Sequence, residues 1–323
     1  MKKILVSIIV NCITFYVSNA QPCNSTKELA DVPTLYKKEY ESAYKPNVEQ
    51  EKVLSSLFTS VVEPALKNTK GLKGNWSPLG GSLLGSSKEG LVISEIEMYL
   101  SKLSCKENKI TSGHESGLVI TLRSNALAPA ICDISKVEIN KESSSEYVYQ
   151  KVNGNQVYAL SPISAYPQQP ALAYYVKTDD AEYFVVAKKV TPLLVPISVQ
   201  QALELNRNYW KALNIDISKT AVETIDTYLK ETPAITLNKP ANSMLLSTYI
   251  ESAESIQNFM ENDGDKLAYI INPAYINTKT NKTAPQFICV EVRRQTNDAV
   301  TQKAYQNFIE ALNFGKLEQL LGK

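Results

Sequence analysis

The sequence predicts an α+β fold, with a largely antiparallel sheet in the middle of the chain and helices at the N-terminus, after residue 197 and at the C-terminus. Three observations carry that prediction. Ile96, Met98 and Leu100 alternate with Glu95, Glu97 and Tyr99, and Leu118, Ile120 and Leu122 repeat the pattern, the two-residue period of strands with one buried face. Two turn sequences, Asn153-Gly154-Asn155 and Asp179-Asp180, join strand-forming runs into hairpins, 147–152 with 156–160 and 174–177 with 183–187. On either side of this region apolar residues recur at helical spacing.

Taken in order, residues 21–46 show no period and predict an irregular arm or a frayed helix. Val53, Leu54, Leu57, Phe58, Val61 and Val62 form one apolar stripe, so a helix starts after Asn47 and ends near Lys67. Residues 71–90, rich in Gly and Ser, predict a long connection in which Trp76 packs as a lid over that helix. Pro162, Pro167 and Pro170 fit an edge loop between the hairpins, and Pro192 and Pro196 stop the sheet. Ser198 with Gln201 makes a capping box for the next helix, whose apolar face includes Ala202, Leu205 and Trp210. Further helices are expected over 218–230, about 243–260 and 298–321, with strands at 267–271 and 286–293. The resulting organisation is a signal peptide over 1–20, a helix-plus-sheet region over 21–190, and a helix-rich α/β region over 191–323 that either stands apart or continues the same domain.

The leader has its own physical logic. Lys2 and Lys3 precede an almost wholly apolar run of about fourteen residues, and Ser18-Asn19-Ala20 offers small residues where a signal peptidase reads, which places cleavage between Ala20 and Gln21. The run falls short of the roughly twenty residues that span a bilayer. No later stretch of that length is free of charge, so no transmembrane segment is expected in the mature chain, and the localisation is periplasmic, cell-surface or extracellular. Loss of Lys2 and Lys3 turns the formal charge from +1 to −1, which leaves no field to hold nucleic acid.

Removing Cys12 with the leader leaves Cys23, Cys105, Cys132 and Cys289, an even number that predicts two disulfides in an oxidising compartment. Three pairings are open, with Cys105–Cys132 the least favoured because the two lie at opposite ends of a strand pair; the alternative is four buried thiols.

Chemistry-bearing motifs are sparse. The single histidine, His114, sits in a polar loop and reads as a solvated turn residue, which removes the usual triads and two-histidine zinc sites. There is no Cys-x-x-Cys pair and no glycine-rich phosphate loop, and aligning Gly264 with the glycine of a calcium loop puts Phe259 and Ile270 at ligand positions. No metal or cofactor is therefore expected. Glu95 and Glu97 share one strand face roughly 7 Å apart and are the candidate paired carboxylates, although their pattern predicts a solvated outer face. Tyr147, Tyr149, Tyr158, Tyr174, Tyr175 and Tyr183 gather in the sheet, either as a binding face or as ordinary strand packing.

Three segments, 192–198 (PLLVPIS), 272–275 (NPAY) and 284–288 (APQFI), resemble parts of uncharacterised exported proteins of Gram-negative bacteria. That resemblance implies a secreted bacterial origin and supplies no catalytic residue. The expected function is an exported, non-catalytic binding or envelope-associated protein whose partner is a protein, peptide or glycan; the alternative is a secreted hydrolase of glycan or peptide that uses paired carboxylates.

Overall fold

A computed structural model describes residues 23, 28–81, 90–113, 115–128, 133–134, 136–141, 144–149, 151–160, 172–188, 190–246, 248–261 and 266–323, with backbone alone over 133–149. The expected leader with its expected cleavage between Ala20 and Gln21, and His114, Cys132, Pro162, Pro167, Pro170 and residues 262–265, lie outside the described residues.

The chain is α+β. Its strands are β1 Leu35–Lys38, β2 Leu72–Leu79, β3 Ser94–Lys106, β4 Lys109–Ser112, β5 Leu118–Ser124, β6 Asp133–Ile134, β7 Lys136–Lys141, β8 Ser144–Tyr149, β9 Lys151–Val152, β10 Asn155–Leu160, β11 Leu172–Lys177, β12 Ala181–Ala187, β13 Leu194–Pro196, β14 Leu267–Ile271 and β15 Phe287–Arg294. Its α-helices are α1 Val48–Leu57, α2 Glu63–Leu66, α3 Val199–Leu213, α4 Ser218–Glu231, α5 Ala234–Leu237, α6 Ala253–Glu261, α7 Ala299–Ala311 and α8 Phe314–Leu320. An eight-stranded sheet runs in the order β1-β2-β3-β5-β15-β12-β11, with β4 on β3, and every pairing except β1 with β2 is antiparallel. A five-stranded sheet has the order β13-β14-β10-β6 with β9 on β10, and β7 and β8 form a separate ribbon. Because β15 lies between β5 and β12, the regions before and after residue 190 share one sheet.

The alternation in β3 and β5 does what the period requires. Ile96, Met98 and Leu100 on β3 and Leu118, Ile120 and Leu122 on β5 face α1, α2, α7 and α8 in one fully buried core with Val290 and Phe184. Burial of each large aliphatic chain contributes about 1.5 to 3 kcal/mol relative to exposure. The other face of β12 and β15, including Val185 and Phe287, packs in a second core with Leu193 and Ile271 from the region of the smaller sheet.

The first helix starts where expected, with Asn47 and Gln50 capping each other reciprocally. A π turn over Phe58–Val62 then shifts the ladder, and the Glu63 amide donates to the Phe58 carbonyl five residues back. Pro64 supplies the cause, since it has no N–H to give and its ring crowds the carbonyl four residues earlier. Trp76 does lie over this helix, stacked on Phe58 at 4.0 Å between ring centres.

Several expectations are corrected. Residues 72–79 are a full strand instead of a connection, and the arm before them contains β1; both owe their extended form to non-local pairing that local composition does not report. Gly74 belongs to that pairing, because a Cβ there would collide with the Tyr99 carbonyl. Pro196 ends β13 instead of stopping the sheet before it, which an edge strand tolerates. The helix expected over 243–260 is a 3₁₀ turn, Ser243–Leu246, followed by α6, whose first turn is capped by Ser252 through the Ser255 amide. The final helix breaks at Leu312–Asn313, where the Asn313 side chain accepts the Lys316 amide and starts α8.

At the start of α7, Asp298 accepts the amides of Val300 and Thr301 and the hydroxyls of Thr296 and Thr301. Burial opposes its charge, yet these hydrogen bonds and Lys102 outweigh it and hold the carboxyl down at about 2. Asp298→Ala is expected to lower stability at neutral pH by about 1 to 2 kcal/mol, measured by urea unfolding. A carboxyl held below its unfolded value stabilises above that value and stops doing so as pH falls through the folded one. The difference between the two proteins therefore closes as pH is lowered from about 4 towards about 2.

Candidate functional site

The face of the larger sheet turned away from α1, α2, α7 and α8 carries a group of charged residues, and strand register decides which of them meet there. Across β3, β5, β15 and β12, one row holds Glu95, Arg123, Cys289 and Val185. The next holds Glu97, Thr121, Glu291 and Tyr183, and a third holds Tyr99, Val119, Arg293 and Ala181. Arg123 donates from Nε to Glu95 Oε2 at 2.7 Å and from Nη1 to Glu291 Oε2 at 3.0 Å. Arg293 Nε lies 3.8 Å from Glu291 Oε1, and the Tyr99 hydroxyl donates to Glu97 Oε2 at 3.2 Å.

Glu95, expected on a solvated face, is only 6% exposed, and Glu291 only 4%. The cross-strand guanidinium makes this burial tolerable, and alternation within β3 alone cannot reveal it. Burial raises the Glu95 carboxyl, Arg123 pulls it back, and its hydrogen bond with Glu97 adds to the rise, leaving it at about 7. The charge count agrees with that direction: three carboxyls face two guanidiniums, so a proton on Glu95 balances the group.

The candidate carboxylates are thus brought together, but in a form that suits structure better than hydrolysis. Glycoside cleavage places its two carboxyls about 5 to 9.5 Å apart on either side of a bond, whereas these two hydrogen-bond each other and Glu95 is held by Arg123. A further buried carboxylate, Glu182, accepts the hydroxyls of Tyr175 and Tyr305 and the ammonium of Lys177 on the opposite face. Among the described residues no group of three or more His, Cys, Asp or Glu is placed to hold a metal.

A concave surface lies elsewhere among the described residues, where β11 and β12 of the larger sheet meet β10, β13 and β14 of the smaller. It is a mainly apolar cleft of about 280 Å³. Leu160, Leu172, Ala173, Tyr174, Leu193, Leu194 and Tyr269 form its walls, with Lys188 and Thr191 at its margin. Burial raises the Tyr269 phenol, so that ring contributes surface and no anionic group. Neither Glu95 nor Glu97 reaches this cleft or the broader groove of about 540 Å³ between α4 and α6.

Of the segments that carry the exported-protein resemblance, 192–198 lines the cleft through Pro192, Leu193 and Leu194, and hydrogen bonds tie 272–275 to it and to 284–288. The Asn272 amide donates to the Leu193 carbonyl and its side chain to that of Pro192, at 2.8 and 2.9 Å. The Tyr275 hydroxyl donates to the Gln286 carbonyl and accepts the Lys188 amide. Asn125 completes the assembly by accepting the Gln286 amide and donating to the carbonyls of Val92 and Ala284. Of the described tyrosines, Tyr174, Tyr175 and Tyr183 are buried, divided between the two sides of the sheet. The side chains of Tyr147 and Tyr149 lie outside the described residues.

Cys23 and Cys105 form a disulfide, with Cα atoms 5.9 Å apart. Cys289 is a free, buried thiol, which corrects the expectation of two bridges among four cysteines. Burial pushes that thiol up to about 12, so it acts as a small apolar filler in the sheet and not as a nucleophile. No helix among the described residues is long and apolar enough to cross a membrane. Comparison with known proteins returns no matching family model, no matching curated protein and no matching solved structure.

Proposed function

We propose that this chain is an exported, non-catalytic binding protein of the bacterial periplasm, cell surface or exterior. A protein, peptide or glycan partner is engaged at the cleft between the two sheets. The cleft itself carries the reading: a concave, mainly apolar surface with two tyrosines and few polar groups is the usual form of a recognition site. Export is supported by the leader and by the Cys23–Cys105 bridge, which persists only where thiols are oxidised.

The test is capture of a partner from the native envelope fraction, repeated with Ala173→Trp, which fills the cleft from the irregular point of β11. At least about a tenfold loss of affinity, or about 1.4 kcal/mol, is expected with the unfolding midpoint unchanged. Equal binding by the variant would place recognition elsewhere.

A secreted hydrolase is the second reading, favoured by the mutual hydrogen bond of Glu95 and Glu97 and by the raised Glu95 carboxyl. Turnover of a glycan or peptide that disappears in both Glu95→Gln and Glu97→Gln would overturn the non-catalytic proposal.

A further inference from the structure

We propose that the cluster of Glu95, Glu97, Glu291, Arg123 and Arg293, in which Glu95 and Glu291 are buried, is a proton-linked latch, which tightens the larger sheet while it carries one proton and loosens it when that proton leaves. The strand register assembles the cluster from three non-adjacent segments of sequence, so its charge balance acts on the fold as a whole.

Among the described residues, the following groups face it on the sheet. β3 presents Glu95, Glu97 and Tyr99; β5 presents Arg123; β15 presents Cys289, Glu291 and Arg293; β12 presents Tyr183, with Asp180 acting from the turn before it. The flanking positions of β2 are Asn75, Ser77 and Leu79, none of which titrates. With the Cys289 thiol and both phenols held neutral, the three glutamates of the cluster outnumber its two guanidiniums by one. In water the extra charge is harmless; on a face where Glu95 and Glu291 are almost wholly covered it is opposed by burial.

The sign of the linkage follows. A carboxyl that holds its proton in the folded chain, up to about 7, and gives it up in the unfolded chain at its ordinary value makes folding take up a proton between the two. Stability is then greatest below the unfolded value and falls as pH rises towards and through the folded one.

The experiment is urea unfolding of the full chain across that range. The unfolding constant of the natural sequence should rise on the order of 50- to 100-fold between about pH 5 and about pH 8.5. Glu95→Gln, which copies the protonated acid, should flatten that dependence and unfold less readily than the natural sequence at the alkaline end. An equally steep dependence in Glu95→Gln, or none in the natural sequence, overturns the proposal. Should the variant fail to fold, carbon-detected titration of the glutamate carboxyls in the natural chain decides instead: one midpoint near neutrality supports the latch, and all midpoints in the ordinary range refute it. The outcome does not depend on whether the cleft binds a partner.

Discussion

Arg123→Met is expected to destabilise the protein by about 3 to 5 kcal/mol at slightly alkaline pH, the range seen when one member of a buried ionic network is removed. The magnitude comes from what stays behind. Glu95 and Glu291 lose their shortest ion pairs, and the imbalance grows from one uncompensated negative charge to two. Acidification should recover part of the loss, because protonated carboxyls no longer need the guanidinium. If the effect is electrostatic, combining Arg123→Met with Glu95→Leu and Glu291→Leu will restore most of the stability, since buried networks are often replaceable by apolar groups of similar volume. Urea midpoints of the single and triple variants, each at two pH values, check both statements. A loss that is the same at every pH and survives in the triple variant would assign the effect to packing.

Cys23→Ser should destabilise the chain by roughly 4 kcal/mol, the chain-entropy expectation for a bridge whose cysteines lie 82 residues apart. The bridge fastens the start of the arm to the β3–β4 hairpin, where Cys23, Leu29 and Leu103 form a small core of their own and the Cys23 amide donates to the Asn108 carbonyl. Reductant should lower the melting temperature of the natural sequence to that of the variant and leave the variant unaffected. Cys289→Ala, by contrast, should keep its response to reductant, because that thiol takes no part in the bridge.

Much of this architecture is legible locally. The period of β3 and β5, the hairpin at Asp179-Asp180, the capping box at Ser198 and the helix starts near Asn47 and Asp298 depend on neighbours within a few residues, and each occurs where the sequence places it. What escapes is decided at long range. β2 is extended because β3 offers a partner and β1 because β2 does, and the terminal helix breaks because Asn313 starts a new one beside the sheet.

The charged face shows the same limit with more consequence. Glu95 and Glu97 are recognisable as two acids on one side of a strand, but whether they are solvated depends on residues 123 and 291, which only the strand order brings alongside. A usable signal was present: Glu95, Arg123 and Glu291 each stand on the side of the alternation opposite the aliphatic residues of their own strands. Charges at that phase on three strongly apolar strands mark a shared face once the strands are taken as neighbours. The cleft left no comparable trace, since its walls come from strands separated by about a hundred residues and consist of ordinary core residue types.

Export is the premise on which the proposed function stands, and a mass map of the native protein under non-reducing conditions tests it most directly. The account predicts a chain beginning at Gln21, with a peptide containing Cys23 linked to one containing Cys105 and with Cys289 recovered as a thiol. A chain that retains the leader from Met1 onward, with Cys23 and Cys105 both reduced, would contradict it.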